Sequence, residues 1–384
     1  MATLKQRLHR KNGTSYDTIH LETNATVVKM STTDNTTVSN KLTTVDNSIN
    51  SLNSEMNSLK FSVSSGKAQI ASAITDKGVS TSASDSFSQM ATNISQIKTG
   101  INGVPVYGTD FTYTGNYQII SEDDSGNWKI KFLTSGTFTA MNDVLIDIFA
   151  VGGGGSGGLS IGGLSSSSLA AGSGGGSGYT KTSKNILAVK NTSYSIVIGD
   201  GGDAPHGASY ENKSGYDGNN GGNTSGFNVT AGGGYGGKKR GNASYATSYR
   251  GGNGGSGGGG CDKSRGYNGG SDGSDGSCGS YDTKGYGQGT TTREFGETNG
   301  VLYAGGGGAG AGRTADTAGK GGDGGGGSGV SGGANCAGSS IDGTANTGGG
   351  GGGNHVTQFS GGFSHDFPAA GKGGSGILVI RNAR

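Results

Sequence analysis

The chain has 384 residues, of which 86 are glycine and only three are proline, and its formal net charge is +2. After residue 151 about one residue in three is glycine, but the scarcity of proline and the lack of a strict Gly-X-Y period exclude collagen. A net charge this close to zero is not typical of a protein that binds nucleic acid by general electrostatics.

The sequence carries no sign of a membrane span, an export signal, a metal site or a cofactor site. No apolar run approaches the roughly 20 residues that cross a bilayer, and no apolar stretch follows the basic start of the chain as it would in a secretory signal. We therefore expect neither membrane insertion nor export by such a signal. The odd number and the spacing of Cys261, Cys278 and Cys336 favour simple thiols over a disulfide framework or a zinc site.

Residues 1–37 are mixed and polar, and they are too few to form a domain of their own. Within them the alternating stretch Tyr16–Leu21 predicts a strand. We interpret the segment as an adaptor for attachment, whose strand pairs with another protein.

A repeat of apolar residues predicts a coiled-coil stalk over residues 38–65. The spacing alternates between four and three residues, which is the 3.5-residue period of a coiled coil. The residues of this predicted seam are Val38, Leu42, Val45, Ile49, Leu52, Met56, Leu59 and Val63. The residues between them are mostly poor helix formers, so the helix needs partners, and copies of itself are the simplest ones. Because β-branched residues occur in both rows of the seam, a trimer is favoured over a dimer. The alternative is an amphipathic helix packed on its own chain.

Residues 66–100 predict a small helical hairpin. Gly66 is expected to break the stalk helix, and a short helix then ends at Gly78, with Val79 placed for the apolar contact of a C-cap. Ser82–Asp85 has the composition of a capping box at the start of a second helix. The apolar face of that second helix consists of Phe87, Met90, Ala91, Ile94 and Ile97.

Residues 101–151 predict a β-rich neck. The strand candidates are Val104–Tyr107, Phe111–Tyr113, Tyr117–Ile120, Trp128–Leu133 and Val144–Val151. Asp123–Asn127 has the composition of a turn between two of them, and we interpret the acidic run Glu122–Asp124 as a solvated loop.

Residues 152–384 form a glycine-rich head that ends in a strand candidate, 377–381. Apolar segments at both ends predict that the ends are held together in a small sheet from which the glycine runs extend. The runs are either a flexible linker or packed helices of polyproline II geometry that bond N–H to C=O. The closing strand and the many tyrosines favour the packed lattice, formed within one chain or between chains. The predicted fold class is mainly β and irregular, with an α-helical N-terminal part.

Four stretches of the chain resemble tail fibres, or receptor-binding tail proteins, of bacteriophages and prophages. They are Gln6–Asn12 with Tyr16–Glu22, Gly66–Val79 with Phe87–Ile97, Phe138–Gly158, and Gly371–Arg381. The resemblance implies a fibrous homotrimer of the virion that is made in the cytoplasm of the host bacterium. It also implies attachment to the phage tail or baseplate through the N-terminus, and an adhesin head of polyglycine helices. The irregular glycine runs differ from the best-understood form of such heads, so no receptor residues are carried over.

An adhesin head needs rigid aromatic anchors and a few charges on its loops. Two loop groups fit this need. The first comprises Tyr235, Lys238, Lys239, Arg240, Tyr245, Tyr249 and Arg250, and the second comprises Tyr267, Tyr281, Tyr286 and Phe295. Tyrosine faces suit sugar rings, so a glycan or a protein of the host cell surface is the expected partner. The alternative is that these tyrosines only cover the glycine lattice.

The motifs give catalysis little support. Gly-x-Gly-x-x-Gly matches follow from the composition, and Gly269–Asp275 lacks the spacing of calcium-binding repeats. A glycan hydrolase needs two placed carboxylates, and Asp143 and Asp147 are expected within or beside a strand. We therefore expect a binding protein and no enzymatic activity. The alternatives are a purely structural fibre, a tail-associated glycan hydrolase and, disfavoured by the lack of an export signal, a bacterial surface adhesin.

Overall fold

The structure of the chain is a computed structural model. It describes residues 6–12, 15–21, 38–76, 79–95, 103–123, 126–162, 171–205, 215–239, 249–262, 265–312, 317–331, 340–357 and 369–384. The chain divides into two compact parts, Met1–Lys98 and Thr99–Arg384, called the N-terminal unit and the C-terminal unit below. The described residues are mainly β, in open sheets, with a few helices that include a long one in the N-terminal unit. The predicted fold class is confirmed at this level.

A β-hairpin lies near the start of the N-terminal unit. Strands β1 (Gln6–Asn12) and β2 (Ser15–Leu21) pair antiparallel, with Gln6 opposite Leu21. The predicted strand Tyr16–Leu21 is therefore confirmed. Its partner is the preceding segment of the same chain and not a strand borrowed from another protein.

One continuous helix, α1 (Val38–Thr75), contains the predicted stalk. It passes through Gly66, so the predicted break at that residue is wrong. A glycine inside a helix costs only about 1 kcal/mol and keeps its N–H donor, which is too little to end a helix continued on both sides. The seam residues from Leu42 to Val63 are exposed on α1.

The last turns of α1 pack against a second helix, α2 (Phe87–Ser95). Ala71 and Ile74 of α1 and Met90 of α2 form a small buried cluster, against which Val79 packs. The predicted helical hairpin is thus present, but its first arm is the end of α1 and not a separate helix.

Helix α2 begins four residues later than the predicted capping box. The Ser86 hydroxyl oxygen accepts the backbone N–H of Gln89 at 3.0 Å, as an N-cap does. The carboxylate of Asp85 instead accepts the N–H of Ser82 at 2.9 Å and closes a separate turn. On the predicted apolar face only Met90 is buried among the described residues, and Phe87 and Ile94 are exposed.

Twelve strands, β3 to β14, form the sheets described in the C-terminal unit. They are β3 (Phe111–Tyr113), β4 (Tyr117–Ser121), β5 (Trp128–Phe132), β6 (Gly136–Ala140), β7 (Val144–Val151), β8 (Leu159–Gly162), β9 (Thr180–Ala188), β10 (Ser193–Ile196), β11 (Thr224–Gly226), β12 (Val229–Ala231), β13 (Asn354–Thr357) and β14 (Ile377–Asn382). The strand candidate Val104–Tyr107 is wrong, because Pro105 has no N–H to donate and Gly103 and Gly108 have positive φ. Only an isolated bridge joins Tyr107 to Phe111.

The final strand closes the main sheet. A five-stranded antiparallel sheet has the order β4-β5-β14-β7-β9, so β14 lies between two strands that precede the glycine runs. Ile377 is opposite Val151, which confirms that the two ends of the glycine-rich stretch are held together. A three-stranded sheet, β10-β6-β3, and the short pairs β11-β12 and β13-β8 complete the strand pairing.

The main core contains buried residues of both larger sheets. Strand alternation turns Ile130 and Phe132 of β5, with Ile146 and Ile148 of β7, towards it. Phe138 of the three-stranded sheet contributes to the same cluster. A second, smaller cluster joins Phe149, Val151, Ile377 and Val379 with Phe295, Tyr303 and Ala304. The five-stranded sheet thus buries side chains of both faces.

The glycine runs pack into a hydrogen-bonded lattice within the single chain. Successive N–H groups of the run 152–158 donate in turn to three neighbouring runs, 173–179, 219–222 and 371–374, and the acceptors within each run are three residues apart. Its C=O groups accept from the runs 199–202, 232–238 and 349–354. A three-residue period is that of the polyproline II helix. A Cβ added at Gly154 would lie 2.0 Å from the carbonyl oxygen of Gly349, so no side chain fits there. The described runs are therefore packed, and the linker alternative does not hold for them.

Asparagine and aspartate side chains complete the lattice where a run lies at its surface. Every third residue of the run 217–223 is Asp or Asn, and the side-chain oxygens accept backbone N–H groups of the run 233–239 at 3.0 Å. The pairs are Asp217 with Lys239, Asn220 with Gly236, and Asn223 with Gly233. These side chains take the place of a backbone carbonyl and satisfy donors that would otherwise need another run.

An ion-pair network crosses the five-stranded sheet. Lys129 of β5, Arg381 of β14 and Asp147 of β7 lie opposite one another in register. Arg381 contacts Asp147 at 3.2 Å and Glu297 at 2.7 Å, and Lys129 contacts Glu122 at 2.7 Å and Glu294 at 2.6 Å. Arg384 also pairs with Glu122. Glu122 is exposed and lies outside the strands, as the solvated-loop interpretation expects, but its carboxylate is ion-paired.

Two carboxyl groups of this network have a lowered pKa. At Glu297 the hydrogen bond from Arg381 is the main cause, and the positive charge of that residue adds to it. At Glu122 partial burial acts to raise the pKa, but hydrogen bonds from Lys129 and Arg384 outweigh it. Because the folded pKa lies below the unfolded one, each group stabilises the fold above the unfolded pKa of about 4.3 and loses that contribution as the pH falls.

We expect the substitution Glu297→Gln to flatten the loss of stability of the C-terminal unit below about pH 4.3. Trp128 is the only tryptophan of the chain and is buried in β5, so its fluorescence reports urea unfolding of this unit at each pH. Asp323→Asn, at an exposed position of the same unit, is the control. If the free energy of unfolding falls equally steeply with pH in Glu297→Gln and in the control, the lowered pKa of Glu297 is not a source of stability.

Candidate functional site

The lattice brings the two predicted loop groups together. The Tyr235 N–H donates to the backbone oxygen of Asn253 at 2.9 Å, and the Tyr286 N–H donates to the side-chain oxygen of Asn253 at 2.8 Å. The Lys238 N–H donates to the backbone oxygen of Arg250 at 3.0 Å. Residues 12 to 33 positions apart in sequence are thereby held on neighbouring runs.

A group of charged side chains surrounds Tyr286. This tyrosine–ion cluster consists of Arg250, Asp275, Asp282, Lys284 and Tyr286. The Tyr286 hydroxyl donates to Asp282 at 2.6 Å, and Arg250 and Lys284 lie 5.5 Å and 5.8 Å from the ring centroid. Arg250 is 3.6 Å from Asp282, while Lys284 is 3.7 Å from both Asp282 and Asp275. The ring is thus fixed by a hydrogen bond and by two cations.

Contacts within the cluster favour the charged forms of Asp282 and Lys284. The hydrogen bond from Tyr286 is the main cause that lowers the pKa of Asp282, and the same bond raises the pKa of Tyr286. The charge of Asp282 raises the pKa of Lys284. A side chain already held in one position loses little conformational freedom when it binds a partner, which favours affinity.

Tyr235 and Tyr281 offer the most exposed rings among the predicted tyrosines that the structure describes, at 53% and 64% exposure. Tyr281 directly precedes the cluster residue Asp282 in sequence. Tyr235 lies on the run that bonds to Asn253, next to Arg250. Two exposed tyrosines therefore lie on chain segments that border the cluster.

Other residues of the first loop group are tied to the lattice. Lys238 contacts Asp217 at 3.0 Å, and the Lys239 ammonium donates to the backbone oxygen of Gly215 at 3.0 Å. Tyr249 is partly buried against Ala171, Cys261 and Ala309. These three residues of the loop group border the cluster without joining it. Arg240 and Tyr245 lie outside the described residues.

Two residues of the second loop group do not lie with the cluster. The Tyr267 hydroxyl donates to Asp262 at 2.7 Å, and this bond is the main cause that raises the pKa of Tyr267 to about 12. Phe295 is buried against Phe149, and the Arg381 guanidinium lies 4.0 Å from its ring centroid. The structure therefore does not support Phe295 as a surface anchor, because its ring already packs against the five-stranded sheet.

Sequence reasoning missed Asn253 and Asp275, and it did not single out Asp282 and Lys284, although both lie within the predicted loop Tyr281–Tyr286. The spacing Asp282, Lys284, Tyr286 is a local signal that places both charges within reach of one ring. Asn253 gave no such signal. Its role depends on which runs are neighbours in the lattice.

The described part of the chain contains no group of three or more His, Cys, Asp or Glu side chains that could hold a metal ion. The Asp272 carboxylate accepts from the Thr292 N–H at 3.0 Å and pairs with Arg293 at 3.3 Å. Asp143 accepts the Lys190 N–H at 2.7 Å, whereas Asp147 is buried against Arg381. Cys261 and Cys278 form no disulfide. No helix among the described residues has the length and apolar character needed to cross a membrane.

Comparison with known families gives one match. A family model described as a glycine-rich domain matches residues 133–383, from the end of β5 to the residue after β14. The match therefore covers the closing strand, the lattice and the tyrosine–ion cluster. The search of curated proteins gave no match.

Proposed function

The chain belongs to the glycine-rich domain family, with residues 133–383 as its domain, and we propose that it is a phage tail fibre whose head binds the host surface. In this proposal three copies associate through α1, and residues 1–37 attach the fibre to the tail or baseplate. The protein is a part of the virion, is made in the host cytoplasm, and acts by binding without catalysis. The resemblance of four stretches to phage and prophage tail proteins supports this proposal.

The tyrosine–ion cluster is the observation that carries the proposal. Aromatic and arginine side chains dominate the binding energy of most interfaces, and here Arg250 and Tyr286 are held in contact at the surface of a rigid lattice. Tyr235 and Tyr281 add exposed rings that suit the apolar faces of sugars. A glycan or a protein of the bacterial cell surface is the proposed ligand.

We expect the double substitution Arg250→Ala and Tyr286→Ala to weaken binding to host cells about tenfold or more, as loss of central anchors does. The measurement is a titration of intact cells from a panel of candidate host bacteria with the fluorescently labelled full-length protein. The matched control is the double substitution Lys372→Ala and Tyr107→Ala. Like the cluster variant, it removes an ion-paired cation and an exposed tyrosine of the C-terminal unit.

Three outcomes of this titration count against the proposal. Equal affinity of the cluster variant and the control would move the binding surface elsewhere. No binding to any cell by a wild-type protein that shows a cooperative Trp128 transition would favour a purely structural fibre. Release of soluble glycan from the cells during incubation would favour a hydrolase.

A further inference from the structure

Helix α1 exposes an apolar seam that is longer than the predicted stalk. Because the helix continues through Gly66, the 3.5-residue period extends from Val63 through Gly66 to Ile70, which is also exposed. The next apolar residues, Ala71 and Ile74, are buried against α2 instead. The seam therefore runs from Val38 to Ile70, and the helical hairpin begins where it ends.

The charged residues of the stalk all flank this seam. Between Val38 and Val63 they are Lys41, Asp46, Glu55 and Lys60. Lys41 and Glu55 directly precede seam residues of one row, Leu42 and Met56. Asp46 and Lys60 directly follow seam residues of the other row, Val45 and Leu59. These are the g and e positions of the heptad, whose side chains set partner choice and orientation in coiled coils.

In parallel helices that are in register, each g residue meets the e residue five positions further along the neighbouring copy. Lys41 then meets Asp46 and Glu55 meets Lys60, so both contacts join opposite charges. A slip of one heptad separates Lys41 from Asp46. If two α1 helices instead pair antiparallel, with the middle of the seam at the same level in both, Asp46 approaches Lys60 of the other copy. Glu55 then lies against Glu55 of the other copy, which is unfavourable.

We infer that the occupant of the seam is further copies of α1, parallel and in register, aligned by Lys41–Asp46 and Glu55–Lys60 contacts between chains. This inference rests on the self-association included in the proposed function and adds its orientation and register. The exposed seam supplies the attraction through apolar burial, and the four charges select one arrangement among those that bury it.

The test uses charge reversal in the full-length protein. Residues 55 and 60 are five positions apart, so they are not neighbours on one helix, where only spacings of three and four interact. Any coupling between them therefore acts between chains. We expect Glu55→Lys and Lys60→Glu each to weaken self-association about tenfold, measured by analytical ultracentrifugation and by the concentration-dependent melting of the helical circular dichroism signal.

The double variant Glu55→Lys/Lys60→Glu restores the opposite charges and is expected to recover most of the wild-type association. The matched control, Asp46→Lys/Lys60→Glu, restores only the antiparallel contact and is expected to stay weak. Recovery by the control and not by the first double variant would overturn the parallel arrangement. A helix midpoint independent of protein concentration would overturn self-association itself. Loss of cell binding alone would count against the adhesin proposal and leave this inference intact.

Discussion

The substitution Gly175→Ala is expected to destabilise the C-terminal unit by about 3 kcal/mol or more, as overpacking of a tight interior does. An added Cβ would lie 2.1 Å from the backbone oxygen of Gly155, well inside van der Waals contact. The Gly175 N–H donates to Gly351 at 2.9 Å, and its carbonyl accepts from Gly307 at 2.8 Å. The runs would have to separate, and these hydrogen bonds would weaken together with the contact.

The matched control is Gly232→Ala in the same unit. A Cβ there meets only a ring atom of Tyr179, at 3.5 Å, which is ordinary contact. We expect its free energy of unfolding in urea, followed by Trp128 fluorescence, to stay within about 0.5 kcal/mol of wild type, as for most unobstructed surface changes. If Gly175→Ala unfolds at the same urea concentration as Gly232→Ala, the lattice does not stabilise the unit.

The substitution Arg381→Met is expected to cost about 3–5 kcal/mol, because it leaves a buried carboxylate without its cation. Asp147 is fully buried and, among the described residues, would keep only the hydrogen bond from the Asn185 N–H, at 3.1 Å. Methionine retains much of the packing of the arginine stem against Phe295. The loss therefore reports the uncompensated charge more than a cavity.

The control for Arg381→Met is Lys372→Met, which removes the exposed pair with Asp203, 3.0 Å apart. Exposed pairs contribute roughly 0–1 kcal/mol, so this variant should unfold nearly as wild type does. Adding Asp147→Leu to Arg381→Met removes the stranded charge and should recover a large part of the loss. Urea unfolding of Arg381→Met, Asp147→Leu and the double variant measures both effects. The mechanism would be contradicted if the double variant lost the sum of the unfolding free energies that the two single variants lose.

Patterns that are local in sequence were enough to predict several elements. The 3.5-residue period predicted that residues from Val38 to Val63 lie on a helix, and alternation predicted the strand at Tyr16–Leu21. The apolar segments on both sides of the glycine runs predicted that the two ends are held together in one sheet, and Ile377 is indeed opposite Val151. In each case the spacing of side chains along one short segment determines which face is apolar.

Local sequence patterns misled where contacts with other parts of the chain outweigh them. Gly66 looked like a helix end, but one glycine is a small cost inside a long helix. Glu122 was interpreted as solvated, and it is exposed, but the hairpin of β4 and β5 brings Lys129 to it and the end of the chain brings Arg384. Phe295 looked like a loop anchor, although it packs beneath Arg381 of the last strand. Arg384 is remote in sequence from Glu122, and Arg381 is remote from Phe295, so neither contact shows in a local pattern.

The sequence by itself determined the glycine content that lets backbones approach, the apolar seam of α1, and the tyrosines available for binding. Only the tertiary structure decided which runs are neighbours, because a run of glycines has no side chain that distinguishes one partner from another. That choice brings the runs that carry Tyr235 and Tyr286 to Asn253, and it brings Arg250 to the ring of Tyr286. It also turns Asp217, Asn220 and Asn223 into acceptors for one particular run. The candidate site is thus a consequence of backbone hydrogen bonds whose register is set by the whole lattice.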